Sequence, residues 1–373
     1  MKSRDEILLK KAEKILLNNI FKNGNYPWGN YRLISPSIDG ENTFNGVWNW
    51  DSAFHAIGMA RIDVEIAKEQ ITGFLQFQKE NGLLPDFINI EGKIEDRFGK
   101  PPVMAYAAWR VFEASKDIEF LKEVYPKLQK NEEFWIKHRK YGPLFHYDSE
   151  TTPEMTKEEY GVLVGYESGW DENPRWDNDP HNIWAIDLNG YMVMTYEALS
   201  LMAKELNLPN KEWEEKKEKL IDAINTLLWD NERETYVDYN FIDKRPMRVL
   251  SPACFVPLFA GFAPKDKAEK MNKIAKEHFM PCMPMVAFDD PDFDTEHYCR
   301  GACYLHIAYM AAKGLKDYGF TSTAETIKET ILNWVYDDGD YIHENYHAIT
   351  GKGKHHRYFS WSSVFVREFI LNF

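Results

Sequence analysis

The chain has 373 residues, 44% of them hydrophobic and 15% aromatic, a composition that excludes intrinsic disorder. Its 45 basic and 59 acidic residues give a net charge of −14, which disfavours nucleic acid and anionic membrane surfaces as partners. No stretch reaches the roughly 18 apolar residues of a membrane span, and residues 1–19 lack the apolar core of a signal peptide, so we expect a cytoplasmic protein.

Apolar residues recur with a helical period in twelve segments. In chain order these predicted helices lie at 4–20, 50–63, 64–80, 102–115, 117–139, 186–204, 209–228, 252–260, 266–276, 300–314, 319–335 and 360–372. Short connections within successive pairs predict antiparallel helical hairpins. With the first helix returning beside the last, the pattern predicts an all-α fold, an (α/α)6 toroid formed by one domain over residues 1–373. A plain helical repeat array is the alternative that periodicity alone leaves open.

Long connections separate the pairs and carry most of the chemistry-bearing residues. They lie at 21–49, 81–101, 140–185, 229–251, 277–299 and 336–359. Long connections of this kind are usually functional, and in a toroid all six meet on one face. We therefore expect the active site on that face.

The first motif is Trp48-Asn49-Trp50-Asp51-Ser52-Ala53-Phe54-His55, where a connection enters a helix. Trp48 and Trp50 flank the carboxylate of Asp51, an arrangement suited to binding sugar hydroxyls beside aromatic faces. The structural alternative makes Asp51 an N-terminal helix cap, worth roughly 1 kcal/mol.

The second motif is the run Tyr166-Glu167-Ser168-Gly169-Trp170-Asp171-Glu172-Asn173-Pro174-Arg175-Trp176-Asp177, which we assign to a loop. Its tryptophans, carboxylates and arginine suit a polar, uncharged polyhydroxyl ligand. Among aromatic side chains the Asp171 carboxyl would have a raised pKa, as a general acid at neutral pH requires. Alternatively, Glu167, Arg175 and Asp177 form a structural ion-pair network.

The third motif is His343-Glu344-Asn345-Tyr346-His347-Ala348-Ile349-Thr350-Gly351, in which Glu344 is a candidate base. His343 and His347 have the spacing of metal ligands on a helix, but the neighbouring turn residues argue against a helix here. Cys299 and Cys303 could pair as ligands, although free buried thiols are the default for the four cysteines of a cytosolic chain. We predict neither a metal nor a cofactor, and the sequence shows no glycine-rich phosphate loop and no Gly-x-Ser-x-Gly elbow.

Hydrolysis of a glycosidic bond needs two separated acidic residues, one protonated and one ionised. Asp171 and Glu344 are suited to these roles. A sugar isomerase or epimerase that uses paired histidines, and an inactive sugar-binding toroid, are the rival interpretations. The sequence carries no signal for an oligomeric state.

Taken together, the motifs resemble the family 63 glycoside hydrolases and their relatives, the family 37 trehalases and the bacterial glucosylglycerate and mannosylglycerate hydrolases. The first motif resembles the family's Trp-x-Trp-Asp-Ser-Ala-Phe, and Glu167 to Arg175 resembles Glu-Ser-Gly-x-Asp-x-Ser-Pro-Arg. Further similar segments are Gln78 to Pro85, Pro101-Pro102, Tyr298-Cys299-Arg300-Gly301, Glu344-Asn345-Tyr346 with Thr350-Gly351, and Ser360-Trp361.

The resemblance implies that Asp171 is the general acid and Glu344 the base of an inverting α-glycosidase acting on a small α-glucoside or α-mannoside. It also implies a sugar pocket lined by Trp48, Trp50, Asp51, Gln78, Glu167, Trp170, Arg175, Tyr298, Arg300 and Trp361. Three basic residues could bind an acidic aglycone, namely Lys100, Arg248 and His355. The chain departs from the family pattern where Cys299 replaces Trp, Asn173 replaces Ser and Lys100 replaces Gln.

Overall fold

The computed structural model describes residues 3–22, 24–40, 43–150, 152, 154–178 and 180–373, with the side chain of Lys157 left out. Within these residues there are thirteen α-helices. They are α1 (Arg4–Asn18), α2 (Asn49–Met59), α3 (Val64–Leu75), α4 (Met104–Ser115), α5 (Ile118–His138), α6 (Lys157–Ser168), α7 (Ile186–Glu205), α8 (Lys211–Leu227), α9 (Val256–Phe259), α10 (Lys265–Ile274), α11 (Leu305–Asp317), α12 (Thr321–Asp337) and α13 (Ser360–Leu371). None of them is long and apolar enough to cross a membrane.

The helices pack in pairs, as the short connections predict. α2 contacts α3, α4 contacts α5, α7 contacts α8, α11 contacts α12, and α1 lies against α13. One member of each pair also contacts its counterpart in the next pair, in the order α2, α4, α7, α9, α11, α13 and back to α2. These six are the inner helices.

Burial separates the inner helices from their partners. α7 buries residues around its whole circumference, whereas α8 buries only Trp213, Leu220 and Ile224. A helix that is apolar all round lies inside a protein, and one with a single apolar stripe covers its surface. The buried side chains from α1 to α13 form one continuous hydrophobic cluster.

All twelve predicted helices exist, although several boundaries differ. The segment predicted at 252–260 is a 3-10 turn, Pro252–Phe255, followed by the single turn of α9. The helix predicted from residue 300 begins at Leu305. The predicted N-cap Asp117 is confirmed, since its side chain accepts hydrogen bonds from the amides of Glu119 and Phe120.

Helix α6 lies inside the connection 140–185, where we predicted a loop. It begins with a capping box in which the Glu159 amide donates to the Thr156 side chain and the Thr156 amide donates to the Glu159 carboxylate. This sequence signature identifies a helix start. The apolar residues of α6 follow no one-sided helical period, which is why the periodicity did not indicate it.

Short antiparallel strands in the connections correct the all-α prediction to a mainly helical fold. Three small sheets order β1-β2-β3, β10-β9-β6 and β11-β12-β13, and two hairpins pair β4 with β5 and β7 with β8. The strands are β1 (Gly46–Trp48), β2 (Phe87–Asn89), β3 (Ile94–Glu95), β4 (Lys140–Tyr141), β5 (Leu144–Phe145), β6 (Ile183–Trp184), β7 (Trp229–Asp230), β8 (Thr235–Tyr236), β9 (Tyr239–Asn240), β10 (Arg245–Pro246), β11 (Ala302–Cys303), β12 (Asn345–His347) and β13 (Gly353–Lys354).

Two of these sheets hold predicted site residues in place. Trp48 ends β1, opposite Phe87 of β2, and leads directly into α2. Glu344 directly precedes β12, whose Tyr346 lies opposite Cys303 of β11. Backbone pairing therefore fixes the chain on either side of the residues that carry the chemistry.

Candidate active site

Asp171 and Glu344 line the same cavity, which has a volume of about 120 Å³ and which we call the inner cavity. It lies where the inner helices begin, because Trp50 and Asp51 are in the first turn of α2 and Trp361 is in the first turn of α13. Its other lining residues are Pro36, Phe44, Trp48, Lys100, Gly169, Tyr298 and Phe359.

Aromatic side chains form much of the wall of the inner cavity. Trp50 and Trp361 pack edge to face with ring centroids 5.2 Å apart, and Phe44 meets Trp48 in the same way at 5.2 Å. Trp48 in turn stacks on Phe87 at 5.3 Å. Rings held by such contacts are rigid, and their flat faces are suited to stacking on the apolar face of a sugar.

Gly169 brings the Asp171 segment against Trp50. It ends α6 in the left-handed conformation with φ of +72°, and a Cβ atom at this position would lie 2.4 Å from the Trp50 ring. Only glycine satisfies both the backbone conformation and the close approach. The second motif is thereby fixed against the first.

Four carboxyl groups and one lysine make up the charged part of the site. Burial raises the pKa of Asp51 to about 7 and that of Asp86 to about 7, with the positive charge of Lys100 opposing both shifts. The Lys100 Nζ lies 3.4 Å from the Asp86 Oδ1 and donates a hydrogen bond to the Tyr166 carbonyl oxygen. Burial opposes the charge on Lys100, but Asp86, Asp171 and Asp51 outweigh burial and raise its pKa.

Burial is also the main cause of the raised pKa values of the two candidate catalytic groups. It raises the pKa of Asp171, with Lys100 opposing, and it raises the pKa of Glu344 to about 7. The Tyr298 hydroxyl donates a hydrogen bond to the Glu344 Oε1, which favours the ionised carboxylate. The raised pKa that the sequence predicts for Asp171 is confirmed in direction.

A second, larger cavity of about 620 Å³ adjoins the inner cavity at Asp171, and we call it the outer cavity. Arg300 is one of its lining residues and pairs with Asp177, with 2.8 Å between Arg300 Nη2 and Asp177 Oδ1. The remaining described lining residues are Glu158, Gly161, Val162, Tyr166, Glu172, Asn173, Trp176, Pro180 and His181.

Four residues expected in the sugar pocket line neither cavity. The Gln78 side-chain amide donates to the carbonyl oxygens of Gly82 and Lys127, at 3.1 and 2.8 Å, and so fixes a turn on α5. Glu167 is fully buried and accepts from the Arg139 Nε at 2.9 Å. Both side chains therefore have structural partners in place of a ligand.

Arg175 and Trp170 are likewise structural. Arg175 is fully buried, and its guanidinium lies 2.6 Å from Asp187 and 2.7 Å from Asp238. It is sandwiched between the rings of Trp170 and Trp176, at 4.7 and 4.6 Å. The alternative of an ion-pair network thus holds for this loop, with partners that the motif itself does not contain.

The remaining alternatives can also be placed. Asp51 does not cap α2, because the helix begins at Asn49 after Trp48, which makes no side-chain cap bond. His343 pairs with Asp338 at 2.6 Å. In the part of the chain that the structure describes, no group of three or more potential ligands is arranged to hold a metal ion. All four cysteines are buried and free.

The three basic residues suggested for an acidic aglycone do not line the outer cavity. Lys100 belongs to the inner cavity. Arg248 pairs on the surface with Asp290, at 2.9 Å, and with Asp292. The His355 Nδ1 lies 2.9 Å from the Asn345 side-chain amide nitrogen, and burial lowers the pKa of the imidazole.

Asp86 is the site residue that sequence reasoning missed. It is buried, its Oδ1 makes no hydrogen bond to another described residue, and it faces Lys100. It directly follows Pro85, the last residue of a segment already recognised as similar to a family motif. A carboxylate next to that turn was the available signal.

Residues 45–362 match the family model described as the mannosylglycerate hydrolase MGH1-like glycoside hydrolase domain. The chain belongs to this family. As a family 63 glycoside hydrolase it is similar to mannosylglycerate hydrolases from Thermus thermophilus, with 24% identity over 85% of this chain and 92% of the relative, and from Rubrobacter radiotolerans, with 22% identity over 87% and 90%.

Solved structures of other hydrolases share the fold of this family 63 hydrolase. A mannosylglycerate hydrolase from Thermus thermophilus in complex with Tris and D-glycerate superposes with a TM-score of 0.81 at 21% identity, covering 96% of this chain and 98% of that one. The neutral trehalase Nth1 from Saccharomyces cerevisiae gives a TM-score of 0.74 at 17% identity, covering 95% and 78%. The resemblance drawn from the motifs is confirmed.

Proposed function

We propose that this family 63 hydrolase is an inverting α-glycosidase that cleaves a small α-glucoside or α-mannoside. Asp171 protonates the leaving oxygen, and Glu344 takes a proton from the water that attacks the anomeric carbon. The observation that carries the proposal is that these two carboxyls line one cavity and come from connections remote in the sequence.

The surroundings of the two carboxyls suit these roles. Asp171 lies at the junction of the inner and outer cavities, which is where the bond between a sugar and its leaving group would lie. Glu344 lines the inner cavity alone, and the Tyr298 hydroxyl holds its carboxylate. The sugar would therefore occupy the inner cavity, among Trp48, Trp50 and Trp361, and the leaving group the outer one.

Hydrolysis also fits the described site better than proton transfer between histidines does. The described residues that line the inner cavity include no histidine. His306 packs nearby, 4.2 Å from Trp361, but burial lowers its pKa to about 3 and keeps it neutral.

We further propose that the helices close into an (α/α)6 toroid and that residues 1–373 form a single catalytic domain. The cycle of contacts among the six inner helices and the packing of α1 on α13 support this architecture. A cytoplasmic location is proposed from the four free thiols, since oxidising compartments favour disulfides.

The stereochemical course tests the mechanism. With an α-linked substrate, NMR recorded during hydrolysis should show the β-anomer of the released hexose first and the α-anomer only as mutarotation proceeds, because water enters opposite the leaving group. Initial release of the α-anomer would contradict inversion and would indicate a covalent intermediate.

Lys100→Gln is expected to shift the alkaline limb of the profile of kcat/KM against pH to higher pH. The Lys100 cation favours the ionised form of Asp171, so its loss raises the pKa of the general acid further, and the acid keeps its proton at higher pH. The acid limb, which reports Glu344, should stay where it is.

Lys79→Gln is the matched control for this experiment. It removes one lysine charge from the same side of the chain, but Lys79 pairs with Asp96 at 3.1 Å and lines neither cavity. An alkaline limb that does not move in Lys100→Gln would show that Lys100 does not act on the acid.

A further inference from the structure

The outer cavity is acidic. Besides Asp171, its described lining residues include three carboxylates, those of Glu158, Glu172 and Asp177. Arg300 is the one arginine or lysine among them, and Asp177 already pairs with it at 2.8 Å. The cavity therefore presents more negative than positive charge to whatever occupies it.

The other basic residues near the site do not correct this balance. Lys100 lies in the inner cavity among Asp51, Asp86 and Asp171. Arg248 is held by Asp290 and Asp292, and the imidazole of His355 is kept neutral by burial. None of these three groups lines the outer cavity.

The polar and aromatic groups of the outer cavity suit an uncharged, hydroxylated ligand. Carboxylates accept hydrogen bonds from hydroxyl groups, and Arg300 can donate to hydroxyl oxygens while it stays paired. The rings of Tyr166 and Trp176 add aromatic surface, and the volume of about 620 Å³ falls in the range of about 300 to 1,000 Å³ that is usual for ligand pockets. There is room for a further sugar unit.

We infer that the leaving group this enzyme accepts is a neutral polyhydroxyl group, either a second sugar or a polyol such as glycerol, and that a carboxylate such as glycerate is disfavoured. The inference rests on the proposed function, since it assigns the outer cavity to the leaving group. It separates this chain from the mannosylglycerate hydrolases that it resembles.

The physical reason is repulsion between like charges in a partly desolvated space. A glycerate carboxylate in the outer cavity would face Glu158, Glu172 and Asp177, and it would have to displace Asp177 from Arg300 to gain a partner. Placing like charges side by side in a binding site costs several kcal/mol. A glycerol group in the same position has no charge to repel.

The test compares two substrates that differ in one group, 2-O-α-mannosylglycerol and 2-O-α-mannosylglycerate, together with the corresponding glucosyl pair. We expect kcat/KM to be at least about tenfold higher for the glycerol conjugate of the preferred sugar. We also expect kcat/KM for the glycerate conjugate to rise with ionic strength, because salt screens the repulsion. Equal or faster hydrolysis of the glycerate conjugate would overturn the inference and leave the proposed function intact.

Asp177→Asn probes the same point from the protein side. The change frees Arg300 for a ligand carboxylate, so the preference for glycerol over glycerate should fall by about tenfold or reverse. Glu154→Gln is the control, because this carboxylate precedes α6 without lining the outer cavity, and it should leave the preference unchanged. An unchanged preference in Asp177→Asn would count against the inference.

Neutral disaccharides with α-glucosyl or α-mannosyl units complete the panel. If these are hydrolysed while both glycerol-derived conjugates are poor substrates, the leaving group is a sugar and the inference holds. If no α-glucoside or α-mannoside in the panel is cleaved, the proposed function itself fails, and the inference fails with it.

Discussion

Asp171→Asn and Glu344→Gln are each expected to lower kcat by about 10²- to 10⁴-fold, because each removes one partner of a concerted acid and base pair. Both replacements keep the shape of the side chain and place a neutral amide where burial already disfavours charge. The proteins should therefore stay folded, and hexose release with the preferred substrate measures the loss.

The pH profile assigns the role of Glu344. In the parent enzyme kcat/KM should fall as the pH drops below about 7, since the Glu344 carboxylate, with a pKa of about 7, takes up a proton and can no longer act as a base. That limb should be missing in Glu344→Gln. Exposed Glu91→Gln serves as a control, and near-parental hydrolysis by either active-site variant would refute the assignment.

Arg175→Met is expected to lower the free energy of unfolding by about 3–5 kcal/mol. The change leaves Asp187 and Asp238 buried without their shared cation, and it removes the planar group that Trp170 and Trp176 enclose. Denaturant unfolding followed by tryptophan fluorescence measures the loss. This expectation replaces the ligand-binding role that the motif suggests.

Arg300→Met provides the comparison for stability. Arg300 also pairs with an aspartate, Asp177, but its side chain is 23% exposed and that of Asp177 is 43% exposed. Ion pairs accessible to water contribute about 0–1 kcal/mol, so the loss should be small. If Arg175→Met retained full stability and only raised KM, Arg175 would have to contact the substrate.

The helix pairs could be predicted from the sequence because each depends on local information. In α8, for example, Trp213, Leu220 and Ile224 recur at helical spacing and mark the one buried face. Helix α6 lacks such a face, and its only local signal was the pair Thr156 and Glu159. Periodicity therefore indicated the barrel but not the helix that delivers Asp171.

The site was predictable only in part because charged residues in a motif look alike whether they bind a ligand or the protein. Arg175 was expected in the sugar pocket, yet Asp187 and Asp238, its partners, lie 12 and 63 residues further along the chain. Glu167 was misplaced for the same reason, since its partner Arg139 belongs to another element. Asp171, Glu344, Trp50 and Trp361 could be grouped because the family motifs mark them.

The packing of α13 has a consequence for biosynthesis. This helix contacts α1, α2 and α11, and its Ser362 hydroxyl donates to the Glu344 carbonyl oxygen at 3.0 Å. A nascent chain in which α13 is still inside the ribosome lacks both Trp361 and the support of the Glu344 segment. Catalytic competence must therefore appear late and all at once during translation, and a fragment that lost α13 to a protease would be inert.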